Sequence, residues 1–223
     1  MAEQTPIHLA IIPDGNRRWA KVHSLNPWKG HEQAIENFRS LTEWCRNDPR
    51  ISVLTVWCFS TENWKRDPKE IEMLMTMLED YLKKEGDEFI EKRTRFLHSG
   101  RCDRLPSSLI KVIEETEEKT SNQTSFTLNL AVDYGGKDEI LRAIKKSKDI
   151  SEEEIRNNLD HPELPDIDLI VRTSGEQRTS NFALWQSTYA EWEFIEKLFP
   201  DFTSEDLSKA VDDYERRSRR YGT

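Results

Sequence analysis

Long apolar runs are what this sequence most plainly lacks. The longest, Ile7 to Pro13 and Ser52 to Phe59, fall far short of the roughly 20 residues that a membrane-spanning helix requires. No segment is therefore expected to cross a bilayer, and membrane contact is expected to be peripheral at most. Residues Met1 to Pro6 hold neither a basic cluster nor an apolar stretch of signal-peptide length, which makes a cytoplasmic location the expectation. Cysteine is scarce: Cys45, Cys58 and Cys102 form no C-x-x-C pair, so neither a disulfide framework nor a zinc knuckle is indicated. His8, His23, His98 and His161 lack the spacing of a metal-ligand set. Positive charge is in deficit, and the net charge of −9 argues against nucleic acid as a partner. Arginines gathered in one cleft would still capture a small anion. There is no internal repeat and no low-complexity tract.

What is present suits one α/β domain spanning residues 1–223. Ile7–Ile12 is a short apolar, partly β-branched run that stops at Pro13-Asp14-Gly15-Asn16, the pattern of a buried strand entering a turn. Gly30–Arg46 carries apolar residues at helical spacing, and Val53–Phe59 reads as a second strand. A long helix is expected from Pro68, with Ile71, Leu74, Met75, Leu78, Leu82 and Phe89 on one face. Further strands are expected at 95–98, 125–132 and 167–171, and helices at 105–119, 137–146 and 151–159. Such alternation predicts a mainly parallel sheet flanked by helices, with ligands at the carboxyl ends of the strands.

Three polar clusters directly follow apolar strands, so a parallel sheet would bring them to one edge. The first holds Asp14, Asn16, Arg17 and Arg18; the second Ser60, Glu62, Asn63 and Arg66; the third Arg172, Ser174, Glu176, Arg178, Ser180 and Asn181. Guanidinium forks and helix-start N–H groups suit diphosphate oxygens, and a carboxylate can hold a bridging Mg²⁺. Taken singly, Pro13–Asn16 reads equally as an ordinary turn, and Arg172–Asn181 as a helix entrance with surface charges. Their conjunction points to diphosphate chemistry. His31 joins the candidates because Gly30-His31 is expected to open a helix.

At these clusters the sequence resembles the cis-prenyltransferase family, whose type member is undecaprenyl diphosphate synthase. The matching stretches are His8–Lys21, Gly30-His31, Phe59–Arg66, Leu128–Gly136, Arg172–Phe182, Leu184-Trp185-Gln186, Tyr189-Ala190-Glu191 and Arg219–Gly222. The resemblance implies a homodimer of parallel-sheet subunits, each with a hydrophobic tunnel, acting on isopentenyl diphosphate and an allylic diphosphate with Mg²⁺. Asp14 and Glu191 would bind the metal, Glu191 across the dimer. Arg18, Arg66 and His31 would hold the allylic diphosphate, and Arg172, Arg178 and Ser180 the isopentenyl diphosphate. Gly15, Arg17, Trp19, Glu62 and Trp64 would complete the substrate-binding set, and Asn16, Ser60 and Asn63 would orient the reacting ends and relay the proton.

The sequence departs from the family pattern at Pro27, where an arginine is usual, at Ser174, where glycine is common, at Asp133, where asparagine is common, and at Gln177, where some members have histidine. Phe126 and Trp57, bulky and on expected strands, are the candidates for limiting the product to a short or medium chain. An irregular, head-to-middle prenyl synthase is the alternative. A non-catalytic regulatory paralogue is a third, disfavoured by the intact Asp14, Asn16, Arg172, Arg178 and Glu191.

Overall fold

Ile7–Ile12 has all six side chains buried, which a strand achieves only when both faces of its sheet are covered. The computed structural model describes residues 5–217, and the Arg219–Gly222 stretch lies outside them. Strand β1 (Ile7–Ile12) is central in a six-stranded sheet with β2 (Ile51–Ser60), β3 (Thr94–Ser99), β4 (Phe126–Tyr134), β5 (Leu169–Arg172) and β6 (Glu191–Phe194). Strand order is β3-β4-β2-β1-β5-β6 and every pairing is parallel. The chain works outward from β1 through β2 to β4 and β3, then returns to place β5 and β6 on the other side. That reversal opens a crevice at the carboxyl end of β1, where open α/β sheets take their ligands.

The helices are α1 (Asn16–Val22), α2 (Pro27–Asn47), α3 (Pro68–Glu91), α4 (Ser107–Thr120), α5 (Gly136–Lys146), α6 (Glu152–Asn157) and α7 (Ser204–Arg216). Leu9 and Ile11 point into the larger core with Leu41, Met75 and Leu207, while Ala10 and Ile12 point to the smaller core with Ile170 and Phe182. This alternation is the strand period of two. Pro68 opens α3 as expected, with Asp67 accepting the Lys69 N–H. Helix α2 begins at Pro27, not Gly30, because proline at a first helical position has no N–H to lose and a preset φ. Gly30 and His31 thus lie within the helix, and the expected anion site at its start falls elsewhere. Strand β5 runs one residue past its expected end, to Arg172.

Three elements were not expected. The turn at Asp14 leads straight into α1, with Gly15 at φ +100° on its threshold, a conformation that glycine adopts without Cβ strain. Gly30 lets α2 cross α1 closely: a Cβ there would lie 2.0 Å from the Asn16 carbonyl oxygen. Strand β6 is four residues of alternating charge and aromaticity, too short to be distinctive. Helix α7 has buried Leu207, Ala210, Val211 and Tyr214 at helical spacing, with a Thr203/Asp206 capping box.

Phe126, expected to block a tunnel, is the first residue of β4, paired with Thr94 at the amino end of the sheet and 2% exposed. It is packed in the larger core, at the end of the sheet opposite the crevice. A buried polar row crosses the sheet on its other face. The His8 Nδ1–H donates to the Pro165 carbonyl at 2.8 Å, and the Thr55 hydroxyl donates to Nε2 at 2.8 Å. Asn129 donates to Thr55 Oγ1, and Ser99 to Asn129. One donor and one acceptor demand the neutral ring, and burial pushes His8 down to about 4.

The unfolded chain binds this proton near 6.5, so His8 adds stability above that pH, and the contribution disappears as pH falls through about 4. Urea unfolding is expected to show roughly 2–4 kcal/mol lost between those limits through this residue. His8→Gln should flatten the slope in that window, leaving the parts due to His98 and His31, which burial also lowers.

Candidate active site

The carboxyl ends of β1, β2 and β5 carry the three polar clusters to one cleft of about 440 Å³. Asp14 is its centre. Its Oδ1 accepts the Gly15 N–H at 2.7 Å, and its Oδ2 accepts Arg172 Nη2 at 3.0 Å. Thr173 fixes the Asp14 backbone, accepting its N–H at 2.9 Å and donating to its carbonyl at 2.8 Å. Arg172, with a side chain only 4% exposed, also donates from Nη1 to Ser180 Oγ at 2.8 Å and to the Arg178 carbonyl, while its buried Nε has no partner. Arg18 reaches across from α1 to donate to Ser174 Oγ at 2.5 Å and lies 3.7 Å from Asp14 Oδ1.

The loop from Arg172 to Ala183 is not a helix entrance. Ser174, Ser180, Asn181 and Ala183 all have positive φ, at 79°, 51°, 72° and 41°. Left-handed backbone at non-glycine residues costs free energy and clusters at functional sites. Ser174 sits in that region with its hydroxyl engaged by Arg18.

The second cluster folds as a 3-10 turn, Thr61–Lys65, capped by reciprocal bonds between Ser60 and Asn63. Glu62 joins it to the third cluster by accepting Asn181 Nδ2 at 3.2 Å. Asn16, Arg17, His31 and Arg66 complete the cleft wall beside Trp57, and beside Cys58 and Leu74, which no local pattern marks as site residues. Glu70, in the first turn of α3, was also missed. It lies 3.3 Å from Arg66, 3.6 Å from His31 and 3.9 Å from Arg17. Burial holds His31 below its usual range against the pull of Glu70, and burial with Arg17 nearby lowers Arg66.

Four candidates stand outside the cleft wall. Trp19 donates to Asp201 at 2.7 Å and stacks on His23. Trp64 packs on Phe59 and donates to Asp133 at 2.8 Å, beneath the turn that bears Asn63 and Arg66. Asp133 is fully buried and ion-paired with Arg104, which is what a carboxylate in place of the family's asparagine requires. The Arg178 side chain is 60% exposed and pairs with Glu176. Glu191 pairs with Leu169, which is level with Leu9, so it lies toward the amino end of the sheet, where Arg217 donates to it at 3.2 Å.

A narrow apolar cavity of about 90 Å³ opens beside the cleft, with Asn16, His31 and Leu74 bordering both. Ala34, Ile35 and Phe38 of α2 face Leu78 and Tyr81 of α3 across it. Tyr81 closes it, packed on Phe38 with centroids 5.2 Å apart and under the Arg39 guanidinium at 5.8 Å. Trp57 is not in this cavity: it stacks on Phe182 at 5.1 Å and donates to the Tyr134 carbonyl. Neither Trp57 nor Phe126 lines this cavity.

No group of three or more His, Cys, Asp or Glu among the described residues forms a metal cluster. Mg²⁺ does not require one, since it is commonly held by one or two carboxylates together with phosphate oxygens and water. The Asp14 carboxylate, flanked by guanidinium groups that favour anions, fits that donor set.

The family described as "Putative undecaprenyl diphosphate synthase" matches residues 12–222. An isoprenyl transferase of Wolinella succinogenes is 43% identical over 219 residues, covering 96% of each chain. One of Thermotoga maritima is 42% identical, covering 97% of each. Among solved structures, lavandulyl diphosphate synthase from Lavandula x intermedia, in complex with dimethylallyl diphosphate, superposes with a TM-score of 0.92 at 34% identity, covering 99% of this chain and 100% of the other. A probable undecaprenyl diphosphate synthase from Campylobacter jejuni gives 0.82 at 35% identity, with 100% of both chains covered. With its fold, its clusters and its full-length relatives in agreement, the chain belongs to the undecaprenyl diphosphate synthase family of prenyltransferases.

Proposed function

We propose that the protein is a magnesium-dependent cis-prenyl diphosphate synthase that condenses isopentenyl diphosphate with an allylic prenyl diphosphate to give short or medium chains. The supporting observation is a junction: a guanidinium-rich cleft meets a narrow apolar cavity at Asn16 and His31. A diphosphate in the first and a hydrocarbon tail in the second describe one amphiphilic substrate.

In this scheme Arg18, Arg66 and His31, with Arg17, hold the allylic diphosphate, and Arg172, Ser180 and a reoriented Arg178 hold isopentenyl diphosphate. Asp14 holds Mg²⁺ together with diphosphate oxygens and water. When bound, the ion offsets the charge that builds on the departing diphosphate. The allylic C–O bond breaks as a new C–C bond forms to the isopentenyl double bond, and a proton is then lost. Asn16, Ser60 and Asn63 line the cleft, Asn16 at the apolar mouth, and would pass that proton on. Gly15 and Glu62 shape the cleft, while Trp19 and Trp64 brace the elements that carry Arg18 and Arg66. The apolar walls keep water from the allylic cation. Because Glu191 lies toward the far end of its own sheet, it would complete a metal site only in a second copy, so a homodimer is part of the proposal. No helix among the described residues is long and apolar enough to cross a membrane, in keeping with action in the cytoplasm and at most peripheral membrane contact.

The cavity argues for a short product. An apolar cavity of about 150 Å³ accommodates benzene, so about 90 Å³ suits roughly one isoprene unit before Tyr81 gives way. Irregular, head-to-middle coupling is the second reading, favoured by this small cavity and by the close superposition on lavandulyl diphosphate synthase.

Labelled isopentenyl diphosphate, incubated with Mg²⁺ and a panel of allylic diphosphates, is expected to give Z-configured products growing in five-carbon steps, read by chromatography and mass. A single branched product formed from dimethylallyl diphosphate alone would establish the second reading instead. Asp14→Asn keeps one acceptor, enough for the Gly15 N–H or for Arg172 but not for both, and loses the charge. Turnover at saturating Mg²⁺ should fall about 10²–10³-fold, while urea unfolding shows only about 1–3 kcal/mol of lost stability. Near-normal turnover would remove Asp14 from the mechanism.

Tyr81→Ala should join the apolar cavity to the charged crevice on the other side of the ring, between α2 and α3, and lengthen the product by one or more isoprene units. Tyr81→Phe should preserve the parent distribution. Phe126→Ala should cost about 3–5 kcal/mol of stability, and a folded variant with unchanged product length would remove Phe126 as a limit on the chain. An unaltered distribution from a folded Tyr81→Ala enzyme would show that the floor lies elsewhere.

A further inference from the structure

Arg17 of α1, His31 of α2 and Arg66 after β2 reach the cleft from separate elements, yet all face one carboxylate. Glu70 Oε1 lies 3.3 Å from Arg66 Nη1 and 3.6 Å from His31 Nε2, and Oε2 lies 3.9 Å from Arg17 Nη1. These separations exceed the 2.7–2.9 Å of a well-formed charged hydrogen bond. The buried His31 Nε2 has no hydrogen-bond partner at all. One carboxylate therefore offsets part of the cluster's positive charge without saturating its donors. Glu70 is largely buried, with a side chain 13% exposed, and Asp67 caps the helix start that carries it. Its negative charge is fixed beside the place where an anion would bind.

We propose that Glu70 is a built-in counter-ion: it keeps the Arg17 and Arg66 guanidinium groups gathered beside His31 while the cleft is empty, and it weakens their hold on diphosphate, so that the leaving group of the condensation can depart. This rests on the prenyl diphosphate synthase reading and adds to it a residue that positions other side chains and governs product release. The charge acts in both directions. Without the carboxylate, the two guanidinium groups repel one another and spread; with it, a diphosphate meets like charge at close range, in surroundings that screen less than water.

The Glu70→Gln substitution separates the two effects, because the amide oxygen still accepts from Arg66 while the charge is gone. Inorganic diphosphate, titrated calorimetrically into the protein without added Mg²⁺, is expected to bind the Gln variant roughly tenfold more tightly than the parent. The KM for the allylic diphosphate should fall in the same direction, with no rise in kcat. Glu70→Ala, which also loses the acceptor, should bind less tightly than Gln. Equal or weaker binding of inorganic diphosphate by the Gln variant, with an unchanged unfolding midpoint, would overturn the counter-ion role while leaving the proposed reaction intact. Failure of both the parent and the Gln variant to bind inorganic diphosphate would overturn both.

Discussion

Arg172 carries a guanidinium that is almost wholly withdrawn from water, and a buried cation is tolerated only when its donors find partners. Here the partners come from both ends of the chain's path. Asp14, 158 residues earlier, supplies the carboxylate from the end of β1, and Ser180 and the Arg178 carbonyl supply oxygens from the loop that follows β5. The one side chain therefore ties the two strands at the sheet's reversal point and holds the following loop in its left-handed conformations. Placing Asp14, Ser180 and Arg18 around a common space follows from satisfying Arg172. Breaking one member would leave a charge stranded in the interior, which is why site and stability are coupled at this edge.

Beyond that knot, the molecule juxtaposes two environments that ordinarily exclude each other. The sheet's carboxyl edge gathers charge, whereas the space between α2 and α3 is lined by Ala34, Ile35, Phe38, Leu78 and Tyr81. They can adjoin because parallel strands send all their polar turns to one edge, while the helices crossing back over the sheet turn their apolar stripes inward. His31 and Asn16 stand on the boundary, each with an atom that is buried and without a hydrogen-bond partner, His31 Nε2 and Asn16 Oδ1. Unpaired polar atoms at such a boundary are costly in an empty protein and useful in an occupied one.

Much of this was legible in the sequence because the relevant signals are local. Unbroken apolar runs ending in Pro13-Asp14-Gly15 or Ser60-Thr61-Glu62 announce both a strand and what hangs from its end, and parallel topology does the rest. Other features depend on contacts that no local pattern carries. Glu70 looks like any first-turn glutamate of a charged helix until Arg17, His31 and Arg66 arrive from elsewhere. Trp64 sits among cleft residues in the chain but turns to Asp133, because a 3-10 turn points successive side chains in different directions. Tyr81 is one apolar position among several on α3, and only the facing Phe38 and Arg39 make it a floor. The end of the sheet at which a strand residue stands is likewise not local: register sets Phe126 at the amino end of β4.

Gly30 has a consequence on another timescale. Every amino acid other than glycine has a Cβ, and a Cβ at this position would fall 2.0 Å from the carbonyl oxygen of Asn16, an atom of the backbone that begins α1. Any missense change in this codon would press directly on the helix that presents Arg17 and Arg18. Codons for solvent-facing residues such as Lys111, whose side chain is 75% exposed, can drift almost without consequence. The thirtieth codon is held still by a van der Waals radius, and a gene lineage that preserved the cleft would be expected to record that as a site silent to everything but synonymous change.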